Sequence, residues 1–236
     1  VDNHAALSRA NLVVALAYHF AGRLDLARPW YSRAHVHAAS DGDDVTIGAL
    51  MHNMAWLRYA NLRQETLCGT TPTLSGEHAL TSVLSTLQFD DLFGATSLDA
   101  SAPVLRAQIL VIEGRFDEAL SAYAEYLGPS VQQGLRRYHA YLLADQAWCR
   151  LNLGQVEAAH VDALAAQSLI ETTDHVDDLA AAHSRLAQVF SGLCDADSAE
   201  RHNQLAEAGW REHEGFQKRA IDSLSILSQL GPCPTG

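Results

Sequence analysis

Lysine is almost missing from this chain. Of its 236 residues, 16 are basic and 28 acidic, and Lys218 is the only lysine. The formal net charge of −12 argues against a nucleic-acid partner, because proteins that bind phosphate backbones cluster Lys and Arg to displace counterions.

Long apolar runs and paired cysteines are missing as well. The longest apolar stretch near the start, Leu12 to Tyr18, is too short to cross a membrane and lies in an amphipathic repeat, which argues against a signal peptide. The four cysteines show no CxxC pair and no metal-like spacing. We therefore expect a reduced, cytoplasmic protein without membrane contact. The start at Val1, not Met, indicates a piece of a longer chain.

Catalytic, metal and cofactor motifs are absent too. The sequence holds no HExxH, GxGxxG, Walker or GxSxG pattern, and no two of its 12 histidines are spaced i,i+4. Asp41–Asp44 is similar to the start of a calcium-binding loop, but Asn53 and Met54 occupy the region where its last acidic ligand would be needed. We expect no enzyme activity, no metal and no cofactor.

Two alanine positions recur along the chain at a nearly constant interval of 40 residues. The first series is Ala15, Ala55, Ala107, Ala147 and Ala187. The second series is Ala27, Ala79, Ala119, Ala159 and Ala199. One interval in each series is 52 residues, so about 12 extra residues lie between Ala55 and Ala79. A fixed period of this length predicts five copies of one helical hairpin.

The segment before each second alanine also recurs. Gly-Arg-Leu-Asp-Leu-Ala at 22–27 matches Gly-Arg-Phe-Asp-Glu-Ala at 114–119, followed by related segments at 154–159 and 194–199. The glycine suits a left-handed residue after a helix, and the acidic residue suits the start of the next one. The alanine allows two helices to approach closely. The pattern therefore predicts a tight turn between paired helices.

These positions resemble the signature of the tetratricopeptide-repeat family, over about residues 8 to 213. The resemblance implies an all-α, right-handed αα-superhelix, a solenoid of five helical hairpins plus a C-terminal capping helix. Its period of 40 residues exceeds the usual length of about 34 and is similar to that of bacterial regulatory arrays. A HEAT-like or other αα-solenoid remains the alternative.

The predicted single domain spans 1–230. Its hairpins are 5–21 with 24–39, 45–62 with 77–89, 101–113 with 116–127, 135–153 with 155–171, and 177–192 with 196–213. A capping helix is expected at 215–230 and a disordered tail at 231–236. The loop inserted at 63–76 either contacts the ligand or is a tolerated surface insertion. Thr86 and Asn203 depart from the apolar pattern that follows the second alanines.

In the tetratricopeptide family the first helix of each hairpin lines a concave groove, and aromatic anchors there are typical of peptide recognition. The groove positions that the resemblance implies are Leu16, His19, His52, Trp56, Tyr59, Gln108, Tyr141, Trp148, Asn152 and Gln188, with Ser184 and Ser191 beside Gln188. As an alternative, Trp56 and Trp148 pack between repeats as core. Arg58, Arg106 and Arg150 either contact an anion or pair with acidic neighbours such as Asp145.

The leading hypothesis is a non-catalytic scaffold that binds a protein or peptide ligand in this groove. The alternative is a sensor or dimerisation segment of a larger bacterial signalling or transcription-regulatory protein. A third hypothesis is a small-molecule pocket under the inserted loop. Self-association as a homodimer stays open, because convex faces of such arrays often pair.

Overall fold

The computed structural model describes residues 3–72, 75–93, 101–172 and 175–229. Over these ranges the fold is all-α, as predicted, with ten α-helices, two short 3-10 helices and no strand. The helices are α1 His4–Phe20, α2 Leu24–Asp41, α3 Asp44–Leu67, α4 Gly76–Phe93, α5 Ser101–Ile112, α6 Phe116–Gln132, α7 His139–Asn152, α8 Val156–Leu169, α9 Val176–Gly192 and α10 Ala196–Gln229. The predicted tail 231–236 lies outside the described residues.

By its internal contacts the chain divides into two compact units. Unit 1 comprises Val1–Leu57 and His213–Gly236, and unit 2 comprises Arg58–Glu212. The boundaries fall inside α3 and α10. The prediction of a single domain over 1–230 stays a prediction.

Four helix pairs share one turn geometry. Gly22, Gly114 and Gly154 have φ angles of 73°, 72° and 74°, which confirms the predicted left-handed conformation. In each turn this residue donates its amide proton to the carbonyl three residues back, and the next residue donates to the carbonyl five back. These bonds satisfy carbonyls that the helix end would leave unpaired. Cys194 takes the same place in the α9–α10 turn, with φ 62°.

The recurring alanines are mostly core residues. Eight of the ten are at most 2% exposed: Ala15, Ala27, Ala55, Ala79, Ala107, Ala119, Ala147 and Ala159. Their small size suits the close helix contacts that the repeat predicts. The two alanines of the last hairpin, Ala187 and Ala199, are part-exposed instead.

Each unit has its own core. In unit 1, Ala15, Ala27 and Tyr31 pack with residues that include Ile221 and Leu224 of α10. In unit 2, the alanines of α7 and α8 pack against Leu186, Val189 and Phe190 of α9.

Several predicted helix boundaries are wrong. Helices α4 and α6 end at Phe93 and Gln132, where 89 and 127 were expected, and residues 135–138 form a 3-10 helix before α7. The helix expected to end at residue 62 continues to Leu67, and Gly76 already begins α4, so six residues of the presumed loop 63–76 are helical. The separate capping helix at 215–230 does not exist, because α10 runs unbroken from Ala196 to Gln229. Gly215 weakens a helix by only about 1 kcal/mol, and no proline interrupts this stretch.

Candidate binding site

Unit 2 contains a cavity of about 450 Å³. Its lining consists of Ser184, Ala187, Gln188 and Ser191 from α9, Ala196, Ala199, Glu200 and Asn203 from α10, and Leu67 from the end of α3. On α9 and α10 alike, the lining residues follow the spacing i, i+3, i+4, i+7, which is one helix face about 10 Å long. Ser191, Glu200 and Asn203 are exposed, so the cavity opens to solvent as a trough.

The surface that corresponds to the trough is covered by a helix at the preceding hairpin of unit 2. Ala147, the equivalent of Ala187 one repeat earlier, is fully buried in a cluster with Leu186 and Val189 of α9. Helix α9 packs against both α7 and α8. At the fifth hairpin, Ala187 and Ala199 are part-exposed and line the trough, and Ala199 also packs against the edge of this cluster.

Three polar side chains of the trough have hydrogen bonds within the protein. Gln188 Oε1 accepts a hydrogen bond of 2.7 Å from Arg185 Nη1, which leaves its Nε2 as a donor. Ser184 Oγ accepts a bond from Trp210 Nε1 and donates one to the Ala180 carbonyl. Glu200 Oε1 accepts from Gln204 Nε2 at 2.7 Å, which leaves the second carboxylate oxygen as an acceptor.

A buried ion pair stands behind Gln188. Arg185 Nε donates to Asp145 Oδ1 at 2.7 Å, and Tyr123 OH donates to Asp145 Oδ2 at 3.4 Å. Burial raises the pKa of the Asp145 carboxyl, and the adjacent Arg185 guanidinium opposes that rise. Because α7 carries Asp145 and α9 carries Arg185, the pair joins the first helices of consecutive hairpins.

A second buried ion pair connects the extended end of α3 to the start of α9. Arg63 donates to Asp178 Oδ1 and to Asp177 Oδ2, each at 2.9 Å. Burial raises the pKa of Asp178, and the charge on Arg63 opposes this. Leu67, one turn beyond Arg63, lines the trough. Part of the insertion therefore builds a wall of the cavity.

Six of the predicted groove residues lie in unit 2, and three of them are core. Tyr59 and Tyr141 are at most 1% exposed, and Tyr59 OH donates to Tyr141 OH at 3.1 Å. Gln108 is fully buried, and neither atom of its amide group has a hydrogen-bond partner. These side chains offer no surface to a ligand, because helices of the same unit cover them.

The other three groove residues of unit 2 are accessible to different degrees. Gln188 lines the trough. Trp148 is half-buried and packs against the core cluster of α7, α8 and α9, as the alternative interpretation expected for it. Asn152 is exposed and donates from Nδ2 to the Trp148 carbonyl at 2.8 Å.

Four predicted groove residues lie in unit 1. His19 is 1% exposed, with its Nδ1 3.0 Å from the hydroxyl of Tyr31, so it is a core residue. Leu16 is half-buried against the unit 1 core. His52 and Trp56 are half-buried.

The three candidate anion-binding arginines have protein partners. Arg106 lies 3.7 Å from Glu118, and Arg150 lies 2.6 Å from Asp162. Arg58 donates to Ser82 Oγ at 2.8 Å. Of the two interpretations offered for these arginines, pairing with acidic neighbours holds for Arg106 and Arg150. The acid named for it, Asp145, was wrong, because Asp145 pairs with Arg185.

Sequence reasoning missed the α10 side of the trough and its wall at Leu67. One signal was present: Asn203 is polar at a position where Ala163 and Tyr123 stand in the preceding hairpins. The signal is weak, because Thr86, the other polar departure from the pattern, is buried. Nothing in the sequence pairs Arg63 with Asp178.

The described residues contain no cluster of three or more His, Cys, Asp or Glu side chains that could hold a metal ion. None of the described helices has the length and apolarity needed to span a membrane. Comparison of the chain with models of known protein families gives no match, and comparison with curated proteins gives none either.

Proposed function

We propose that this chain is a non-catalytic, tetratricopeptide-like scaffold that binds a protein or peptide ligand, and that the trough of unit 2 is its binding site. One observation carries the proposal. The two recurring alanines of the fifth hairpin are part-exposed and line a cavity, whereas the other eight are buried. The repeated turns and alanine pairs support the solenoid part of the proposal.

The trough overlaps the groove that the resemblance implies only on α9, because its other half lies on α10, the second helix of the hairpin. Ser184, Gln188 and Ser191 were expected to face the groove of the fifth hairpin, and all three line the trough. The Gln188 amide and the Glu200 carboxylate offer a donor and an acceptor beside four alanine and leucine side chains. Five of the nine lining residues are polar, so the trough offers hydrogen bonds as well as apolar contact to a ligand.

Selection of random-peptide phage tests this proposal. Peptides selected on the wild type should still bind Ser168→Trp and should lose binding to Ser191→Trp. Both serines are exposed, on α8 and α9 respectively, and only Ser191 lines the trough. If no peptide is enriched, or if every enriched peptide ignores Ser191→Trp, the trough is not a ligand site.

A further inference from the structure

The trough is a more polar version of a surface that the preceding hairpin buries. Forty residues earlier, the positions equivalent to Ser184, Gln188, Ser191 and Asn203 are occupied by Ala144, Trp148, Leu151 and Ala163. Polar side chains tolerate water, so the fifth hairpin can expose this surface while it is empty. The replacement of apolar by polar residues suits a transient partner, because permanent interfaces are more apolar.

The cover of the preceding hairpin is a helix. Leu186, Val189 and Phe190 of α9 supply that cover with the spacing i, i+3, i+4. The lining residues of α9 and of α10 form two adjacent helix faces, each about 10 Å long, which make up the floor of the trough. A helix of two or three turns matches this floor, because its own apolar residues at the same spacing reach both faces.

The charge of the trough is negative. Glu200 is its one charged lining residue, and Ala196 is flanked in sequence by Asp195 and Asp197. The nearby guanidinium of Arg185 is 2.7 Å from Asp145, which neutralises it. Burial lowers the pKa values of His183 and His202 and the charge of Arg201 adds to this, but neither histidine lines the trough. Arg201 also acts on Asp195 and partly offsets its charge, so Glu200 carries the negative charge of the lining.

We infer that the trough takes an amphipathic helix of a partner protein, with apolar residues at i, i+3, i+4 and an Arg or Lys placed beside Glu200. The inference rests on the proposed function, and it adds the form and the charge of the ligand. The helix occupies the place at the fifth hairpin that α9 occupies at the fourth.

Three fluorescein-labelled peptides, each as long as the 17-residue α9, test the inference. The first is an Ala/Leu/Gln helix with leucines at i, i+3, i+4 and a single arginine. The second has glutamate in place of that arginine, and the third has a central proline that prevents helix formation. Fluorescence anisotropy gives their affinities for the wild type, Glu200→Gln, Ser191→Trp and two controls, Glu157→Gln and Ser168→Trp. Circular dichroism confirms that each variant is folded.

We expect the arginine helix to bind the wild type about five- to tenfold more tightly than the glutamate helix. Glu200→Gln should weaken the arginine helix about two- to fivefold, as for an exposed charge pair, and Ser191→Trp more than tenfold. Glu157→Gln and Ser168→Trp should leave both affinities unchanged, since these exposed residues of α8 lie outside the trough lining.

The results distinguish a failure of this inference from a failure of the proposed function. Equal binding of the proline peptide and the arginine helix, both blocked by Ser191→Trp, overturns the helical ligand while the peptide site stands. Equal binding of the arginine and glutamate helices overturns the charge preference. If the arginine helix does not bind, although phage peptides bind in the trough, the inference alone is wrong. If Ser191→Trp blocks neither these peptides nor any phage peptide, the proposed function is wrong as well.

Discussion

Asp145 and Arg185 are exactly one 40-residue repeat apart, and their side chains form a buried hydrogen-bonded ion pair of 2.7 Å. Arg185 is 4% exposed and Asp145 is fully buried. Arg185 also holds Gln188 in the trough, so this pair connects the core of unit 2 to the candidate binding site.

Loss of one partner of this pair should be costly. Arg185→Met leaves a buried carboxylate without its counter-charge, and we expect the free energy of unfolding to fall by about 3–5 kcal/mol. The double variant Asp145→Asn/Arg185→Met should lose less than the sum of the two single variants. Urea unfolding of all four proteins measures the coupling.

Arg211→Met is the matched control for this cycle. Arg211 is exposed and lies 3.7 Å from Glu207, so its removal should change the free energy of unfolding by less than about 0.5 kcal/mol. Additive effects of the two buried substitutions would contradict the expected coupling.

Cys194→Gly should stabilise the protein. A non-glycine residue in the left-handed region is strained by about 1–2 kcal/mol, and glycine removes that strain at some cost in unfolded-chain entropy. We expect a gain of about 0.5–1 kcal/mol in the free energy of unfolding, measured by urea denaturation.

Gly154→Ala tests the same turn position in the opposite direction. Gly154 has φ 74°, and an added Cβ would have no neighbour within 4 Å, so only backbone strain acts. We expect a loss of about 1 kcal/mol. A neutral result at both sites would show that this turn does not require a left-handed residue.

His202 should make unit 2 sensitive to acid. Its Nδ1 lies 2.8 Å from His183 Nδ1, and burial followed by the charges of His183 and Arg201 lowers the pKa of His202 to about 4. Asp195 acts weakly in the opposite direction. The unfolded chain therefore binds this proton near pH 6.5, before the folded chain does, and stability falls as the pH drops from about 6.5 to 4.

We expect this histidine to account for about 3 kcal/mol of lost stability across that window. His202→Phe keeps a ring stacked on Phe190 and should flatten the pH profile of urea unfolding between pH 6.5 and 4. His160→Phe, at an exposed position of α8, should leave the profile as steep as in the wild type. Parallel profiles for the wild type and His202→Phe would rule His202 out as the cause.

Gly209 allows α10 to lie against α9. A Cβ at this position would lie 2.9 Å from the Cβ of Ala180 and 3.3 Å from its Cα, so the helices would have to separate. We expect Gly209→Ala to reduce the free energy of unfolding by about 1–3 kcal/mol, measured by urea denaturation.

Gly215→Ala provides the comparison on the same helix. There an added Cβ would meet only the end of the Arg219 side chain, which can move away. The higher helix propensity of alanine should then stabilise the protein by about 1 kcal/mol. If Gly209→Ala and Gly215→Ala change the free energy of unfolding in the same direction, the close approach of Gly209 to Ala180 does not determine the effect of the substitution.

The sequence predicted the features that depend on local chemistry. The glycine turns and the buried alanines follow from the backbone needs of a helix end and the size of a methyl group. The exposure of the predicted groove residues was harder to predict, because periodicity indicates which face of a helix points inward but not which other element covers it. Tyr59 and Tyr141 face inward and cover each other, whereas Gln188, on an equivalent face, lines the trough.

The remaining differences come from contacts between distant parts of the chain. The extension of α3 to Leu67 carries Arg63, which is held by Asp178 at a sequence separation of 115 residues. No spacing rule connects two such positions. The unbroken α10 has a different cause, because one glycine is too weak a signal to end a helix.

The bond between Arg63 and Asp178 also bears on how unit 2 unfolds. A repeat array with contacts only between neighbouring hairpins can fray one repeat at a time, because each lost repeat affects only the next. Here α3 of the second hairpin is held to α9 of the fifth, so release of the last hairpin would strand a buried charge in the second. We therefore expect unit 2 to unfold as one cooperative unit, and deletion of its last hairpin to destabilise α3 as well.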